Sequence, residues 1–155
     1  MDPQRRTQLV EQYLACTAEV DDALSGITDA ELDVRVGEEW TVREIVHHLG
    51  DSEMRSALRL RQLIAEDNPV IAGYDEGHYA RVLFYDRPIE ASLTAFRGAR
   101  ESTGELLVRL SEDQWARTGT HTEDGAYGVE PWLETYAAHG HDHAEQIRRA
   151  RAGIA

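Results

Sequence analysis

The sequence predicts an all-α domain, a four-helix bundle with a long crossover between its second and third helices. Apolar residues recur at three- and four-residue intervals in four separate segments, the period at which one face of a helix meets a core. Helix punctuation bounds these segments: Gly26 follows the first, Asn68 and Pro69 follow the second, Pro88 opens the third and Pro131 opens the fourth. A length of 155 residues with 41% apolar and 29% charged side chains suits one domain, expected to span residues 1–155. No internal repeat at a period of about 20 to 50 residues argues for a solenoid or propeller.

The first helix is expected over residues 7–24, where Leu9, Val10, Tyr13, Leu14, Thr17, Val20 and Leu24 share a face. Residues 27–40 mix acids with Leu32, Val34 and Val36 and read as a loop. Thr41 with Glu44 three positions on is a capping box. It opens a second helix over 41–66 that carries Val42, Ile45, Val46, Leu49, Ala57, Leu60, Leu63 and Ile64. Residues 69–88 hold Tyr74, Tyr79, Phe84 and Tyr85 without a period and read as an irregular crossover with room for one short helical turn. The third helix follows over 88–110, with Ile89, Leu93, Phe96, Thr103, Leu107 and Leu110 at helical spacing. A second polar loop, 111–128, is broken by Gly119, Gly125 and Gly128. The last helix, 130–151, should turn Trp132, Tyr136, His139, His143, Ile147 and Ala150 to the core. Arg148, Arg149 and Arg151 gather at its C-terminal end, where cations oppose the helix dipole.

Acidic residues outnumber basic ones 29 to 16, for a formal net charge of −13. Such a field repels phosphate backbones and anionic lipid heads, so neither nucleic acid nor membrane partners are expected. Every basic residue is Arg, which leaves no Lys for a Schiff base or a P-loop. The lone Cys16 can form neither an internal disulfide nor a multi-thiolate metal site and fits a reducing compartment. No apolar run reaches the roughly 18 residues of a membrane helix, and Met1 to Arg6 lack the apolar core of a signal peptide, so a cytoplasmic protein is expected. Any metal must be held by His, Asp or Glu.

Histidines stand at positions 47, 48, 78, 121, 139, 141 and 143. His139 and His143 are four apart, which on a helix brings both imidazoles within reach of one ion. His48 lies on the stripe of Ile45, Leu49 and Ser52 and is the candidate third ligand, while His47 is turned away by about 100°. An isolated core-facing His is more often a hydrogen-bonded structural residue. Two on one apolar stripe argue for a shared cation, because each imidazole nitrogen buried without a partner costs roughly 1 to 3 kcal/mol. His141, about 200° round the helix from His139, should face solvent or a partner subunit. His78 and His121 fall in loops and read as solvated, Cys16 as a small core residue, and Trp40, Trp115 and Trp132 as anchors.

Trp40, Thr41, Val42, Arg43, Glu44, Ile45, Val46, His47, His48, Leu49, Gly50, Asp51, Ser52 and Glu53 resemble the second-helix signature of the DinB-like (YfiT-like) superfamily. His139, His143, Gln146 and Ile147 are similar to its last-helix pattern, and helix order agrees from about residue 7 to 150. The resemblance implies a homodimeric four-helix bundle with a divalent metal, commonly zinc or nickel, held by His48, His139 and His143. Superfamily members include thiol S-transferases that use bacillithiol and proteins described only as metal-dependent hydrolases; related bundles include mycothiol-dependent isomerases.

The function expected from this is a metal-dependent transferase that adds a low-molecular-weight thiol, as co-substrate, to an electrophilic small molecule. The alternatives are a metal-dependent hydrolase and a non-catalytic metal-binding dimer. Three neutral imidazoles would leave the ion its full charge and an open position, to lower the pKa of a water or to bind a thiol as thiolate. Glu44, Asp51 and Glu53 each lie about one turn from His48 and are candidates to orient an imidazole, and none stands out as a general base. Loops 69–88 and 111–129 should shape the cleft, with Arg81, Arg87 and Arg117 read as surface charges.

Overall fold

The computed structural model describes residues 1–154; Ala155, within the expected domain, lies outside the described residues. The chain opens with α1 (Pro3–Leu24), which begins earlier than its apolar period because Asp2 caps the Arg5 amide and Pro3 occupies the first turn. A one-turn helix, α2 (Asp29–Leu32), follows inside the expected loop, held by a capping box between Thr28 and Glu31. Next comes α3 (Val42–Ala65), opened by the expected box between Thr41 and Glu44.

The crossover is more ordered than its composition suggests. It contains a two-residue strand, β1 (Val70–Ile71), and a two-turn helix, α4 (Glu76–Val82), capped by Asp75. The third long helix, α5, covers Glu90–Leu107 and α6 covers Glu112–Trp115. The second loop then folds into a hairpin of β2 (Thr118–His121) and β3 (Gly125–Gly128) before α7 (Val129–Arg151). β1 pairs parallel with β2, Val70 against Thr120 and Ile71 against His121, and β2 pairs antiparallel with β3. Gly119 permits this pairing: a Cβ there would lie 2.5 Å from the Pro69 carbonyl oxygen. The small sheet thus ties the crossover to the loop that precedes the last helix.

The long helices α1, α3, α5 and α7 form the bundle, with α1 packed chiefly on α7 and α3 on α5. The apolar core divides in two along the helix axes. One part holds Val20, Val42, Ile45, Leu49, Phe96 and Ile147, the other Leu9, Leu60, Leu63, Trp115, Trp132 and Leu133. A buried polar belt lies between them. In it Arg100 donates to a Glu53 oxygen at 2.5 Å, to the Tyr13 carbonyl at 3.1 Å and to the Tyr136 carbonyl at 2.6 Å, while the Tyr13 hydroxyl donates to Glu53 at 2.5 Å. Arg100 and Glu53 are each 1% exposed, so this ion pair is complete and dry, and it joins all four long helices.

Candidate metal centre

The belt also carries the histidines. His48 projects from the second turn of α3 and His139 and His143 from the middle of α7, and their Nε2 atoms converge. His139 Nε2 lies 3.2 Å from His48 Nε2 and 3.2 Å from His143 Nε2. Two ligands each about 2.0–2.1 Å from one ion at a tetrahedral angle stand about 3.3–3.4 Å apart, so this spacing fits a single divalent ion. Hydrogen bonding does not account for the cluster equally well. The His139 Nε2 atom offers either one proton or one lone pair, so its two close contacts cannot both be satisfied by the same role. A shared cation would use all three lone pairs.

The electrostatics point the same way. Burial, with His143 as a second cause, pulls the His48 imidazole down to about 3, and burial holds His139 well below its ordinary value. Burial also lowers His143, against the opposing hydrogen bond from Gln146. All three rings are therefore neutral at neutral pH, the form that ligates a metal. Gln146 Oε1 accepts from His143 Nδ1 at 2.8 Å, which puts the proton on Nδ1 and bares the Nε2 lone pair. His48 Nδ1 is buried without a partner, and the Trp40 ring meets the His48 imidazole edge-on at 5.0 Å.

His47 is fully engaged elsewhere. Its Nε2 donates to the Arg87 carbonyl at 2.9 Å, so its Nδ1 is an acceptor, facing the Ser92 hydroxyl at 2.8 Å. That arrangement pins the end of the crossover and the start of α5 to α3. His141 is partly exposed, and its Nε2 donates to the Gln12 carbonyl on α1 at 2.9 Å. His78 is exposed as expected, although on α4. His121 corrects the expectation of a solvated loop residue: it is buried on β2, with Nδ1 3.0 Å from an Asp124 oxygen.

None of the three carboxylates expected near the site orients an imidazole. Glu44 caps α3, Asp51 accepts from the Tyr85 hydroxyl at 2.7 Å, and Glu53 belongs to the Arg100 network. The orienting role on the page falls to Gln146. Arg117, expected as a surface charge, donates to the Leu63 carbonyl at 2.8 Å and braces the end of α3.

A cavity of about 170 Å³ is lined by Arg59, Tyr74, Glu76, His121, Tyr127 and Tyr136 among others; it contains none of the three histidines and is linked to them through Tyr136. The Tyr136 ring, one turn before His139, stands 5.9 Å from that imidazole. Arg59 donates to the Tyr136 hydroxyl at 2.9 Å and to the Ala72 carbonyl at 2.6 Å, so α3 grips both α7 and the crossover at this point. Tyr74, Tyr127 and Arg59 escape a sequence reading because no period or motif marks them, while Tyr136 is visible there only as a core position. A larger surface recess of about 430 Å³ beside Asp33, Arg43 and Arg81 likewise shares no lining residue with the histidine cluster.

A four-helix bundle presenting three convergent imidazoles at mid-height is the class that fold and site define. The sequence profile of the DinB superfamily matches residues 12–147, and the chain belongs to that superfamily. It is 40% identical over 108 residues to a protein of Oceanobacillus iheyensis, covering 70% of this chain and 63% of that protein. A protein of Halalkalibacterium halodurans is 32% identical over 111 residues, covering 72% and 65%. A Bacillus cereus protein is 32% identical over 135 residues, covering 86% and 78%. Each carries the name "Putative metal-dependent hydrolase". The chain therefore spans 63% and 65% of the first two relatives' lengths. YfiT from Bacillus subtilis superimposes with a TM-score of 0.89 at 26% identity, covering 100% of this chain and 91% of that one. It is described as "a probable metal-dependent hydrolase with an unusual four-helix bundle topology".

Proposed function

We propose that the protein is a metal-dependent hydrolase in which His48, His139 and His143 hold one divalent cation, zinc or nickel. The observation that carries this reading is the convergence of three neutral Nε2 lone pairs, two of the separations being 3.2 Å. A cation bound there would lower the pKa of a water toward neutrality and polarise an electrophile. The chain's own residues set the stage for it. Gln146 fixes the tautomer of His143, Trp40 covers one edge of His48, and Arg59 holds Tyr136 and the crossover over the cavity. The names borne by the relatives and by YfiT favour hydrolysis over other chemistry.

Transfer of a low-molecular-weight thiol to an electrophile is the second reading, favoured by one observation. Cys16 is buried and burial pushes its thiol up to about 11, so a reacting sulfur would come from a co-substrate. In either case the protein would act on a small molecule, as a single domain, as a cytoplasmic homodimer. Among the described residues no helix is long and apolar enough to cross a membrane.

The test is turnover of a panel of esters, amides and electrophiles by zinc- or nickel-loaded protein, with and without added thiol. Hydrolysis without thiol, absent in His143→Ala, is the expected result. Turnover only with thiol would replace the first reading by the second, and hydrolysis that persists in His143→Ala would overturn the metal-dependent mechanism.

A further inference from the structure

Hydrolysis at the histidines makes no use of the belt's buried ion pair, yet that pair lies against the helix turn that carries His139. Arg100 reaches from α5 across the bundle to α7. Its Nη2 donates to the Tyr136 carbonyl at 2.6 Å, and its Nη1 stands 3.5 Å from where a Cβ on Gly140 would be. Tyr136 and Gly140 bracket His139 in the chain. The charge of the guanidinium is felt at that imidazole: after burial, His143 and His48, it is a further cause of the lowering of His139. Glu53 stands on α3 beyond His48, about 7.5 Å further along the helix axis. Its carboxylate accepts from Arg100 at 2.5 Å, from the Tyr13 hydroxyl at 2.5 Å and from the Ser56 hydroxyl at 3.1 Å.

A buried ion pair is often no more stable than well-packed apolar residues of the same volume, so its presence asks for a reason other than stability. Arginine offers five N–H donors in a planar fork, and here that fork binds carbonyls of α1 and α7 at once. The same fork brings a positive charge to the neighbourhood of a cation site. The three donors of that site are neutral imidazoles and contribute no negative charge to a divalent ion. The ion keeps its full charge, and a guanidinium alongside His139 repels it unless a counter-charge stands close by.

We propose that Glu53 is that counter-charge, a positioning residue that lets Arg100 brace α1 and α7 without expelling a cation from His48, His139 and His143. Arg100 serves by its donors and Glu53 by its charge. The inference rests on the metal reading and deepens it, because it names what sets the affinity of the site beyond its three ligands.

The two members of the pair are expected to act on the metal with opposite sign, whereas a merely structural network would weaken binding whichever member is removed. The test measures zinc affinity of the full chain by competition with a chromophoric chelator, beside denaturant unfolding of the zinc-free form. Glu53→Gln should bind zinc at least 10-fold more weakly. Arg100→Gln should bind it no more weakly than the wild type, although it unfolds more easily. The double variant Glu53→Gln with Arg100→Gln, neutral at both positions, should return to within about 3-fold of the wild type. The inference is overturned if Arg100→Gln loses affinity as Glu53→Gln does, if Glu53→Gln binds zinc as the wild type does, or if the double variant binds no better than Glu53→Gln. Where a single variant does not fold, the neutral double variant decides: affinity near the wild type supports the inference, and a loss of 10-fold or more overturns it. Wild type that takes up no zinc would overturn the metal reading itself, so the two failures are told apart by the metal content of the wild type.

Discussion

At the scale of single residues, function turns on which nitrogen of which histidine is free. His47 and His48 are neighbours on α3, yet His47 spends both ring nitrogens on Ser92 and Arg87 while His48 turns Nε2 to His139. That choice is legible in the sequence, because helix geometry separates adjacent side chains by about 100° and only His48 shares the inward stripe. The burial of His121 is not legible. It depends on β2 meeting β1, a pairing of residues far apart in the chain. The role of Gln146 is half legible: its spacing from His143 is plain, but only the structure shows Oε1 accepting from Nδ1 at 2.8 Å. On this account Gln146→Leu should weaken zinc binding about 10- to 100-fold without unfolding the bundle, as metal titration with a competing chelator would read. Unchanged affinity would mean that the His143 tautomer needs no such partner.

At the scale of elements, the four long helices followed from local signals, whereas the one-turn helices α2 and α6, in segments read as loops, and the sheet did not. The capping boxes at Thr41 and the apolar periods of α3, α5 and α7 are written in contiguous residues. The strands are two to four residues long, too short for an alternating pattern to show. The contact between α1 and α7 rests on another short-range detail. A Cβ on Gly140 would lie 1.9 Å from Cys16 Sγ, with the Cys16 Cβ and Arg100 Nη1 next at 3.5 Å. Gly140→Ala should therefore cost about 1–3 kcal/mol or more by overpacking, and adding Cys16→Ala should restore much of the loss, because only the sulfur is in the way. Denaturant unfolding of the two variants checks this. Equal stability of the single and double variants would show that α1 simply moves aside, and because Gly140 adjoins His139 the same strain should loosen metal binding.

At the scale of the whole molecule, the bundle is divided by a polar belt rather than filled by one continuous apolar core. The division was hidden in the sequence because nothing there pairs Arg100 with Glu53, which reads only as a candidate to orient an imidazole. Only in three dimensions do they form a pair each 1% exposed, with Tyr13 and the Tyr136 carbonyl as further partners. That network fixes the heights of α1, α3, α5 and α7 against one another one turn from the histidines, so the ligand set from α3 and α7 meets on a frame already aligned. The central claim is that this frame holds one divalent ion on His48, His139 and His143. Elemental analysis by mass spectrometry of untagged protein, run beside His48→Ala, tests it most directly. The account predicts about one equivalent of zinc or nickel per chain in the wild type and its loss in the variant. Wild type that cannot be loaded with either metal, or a His48→Ala protein that keeps a full equivalent, would contradict it.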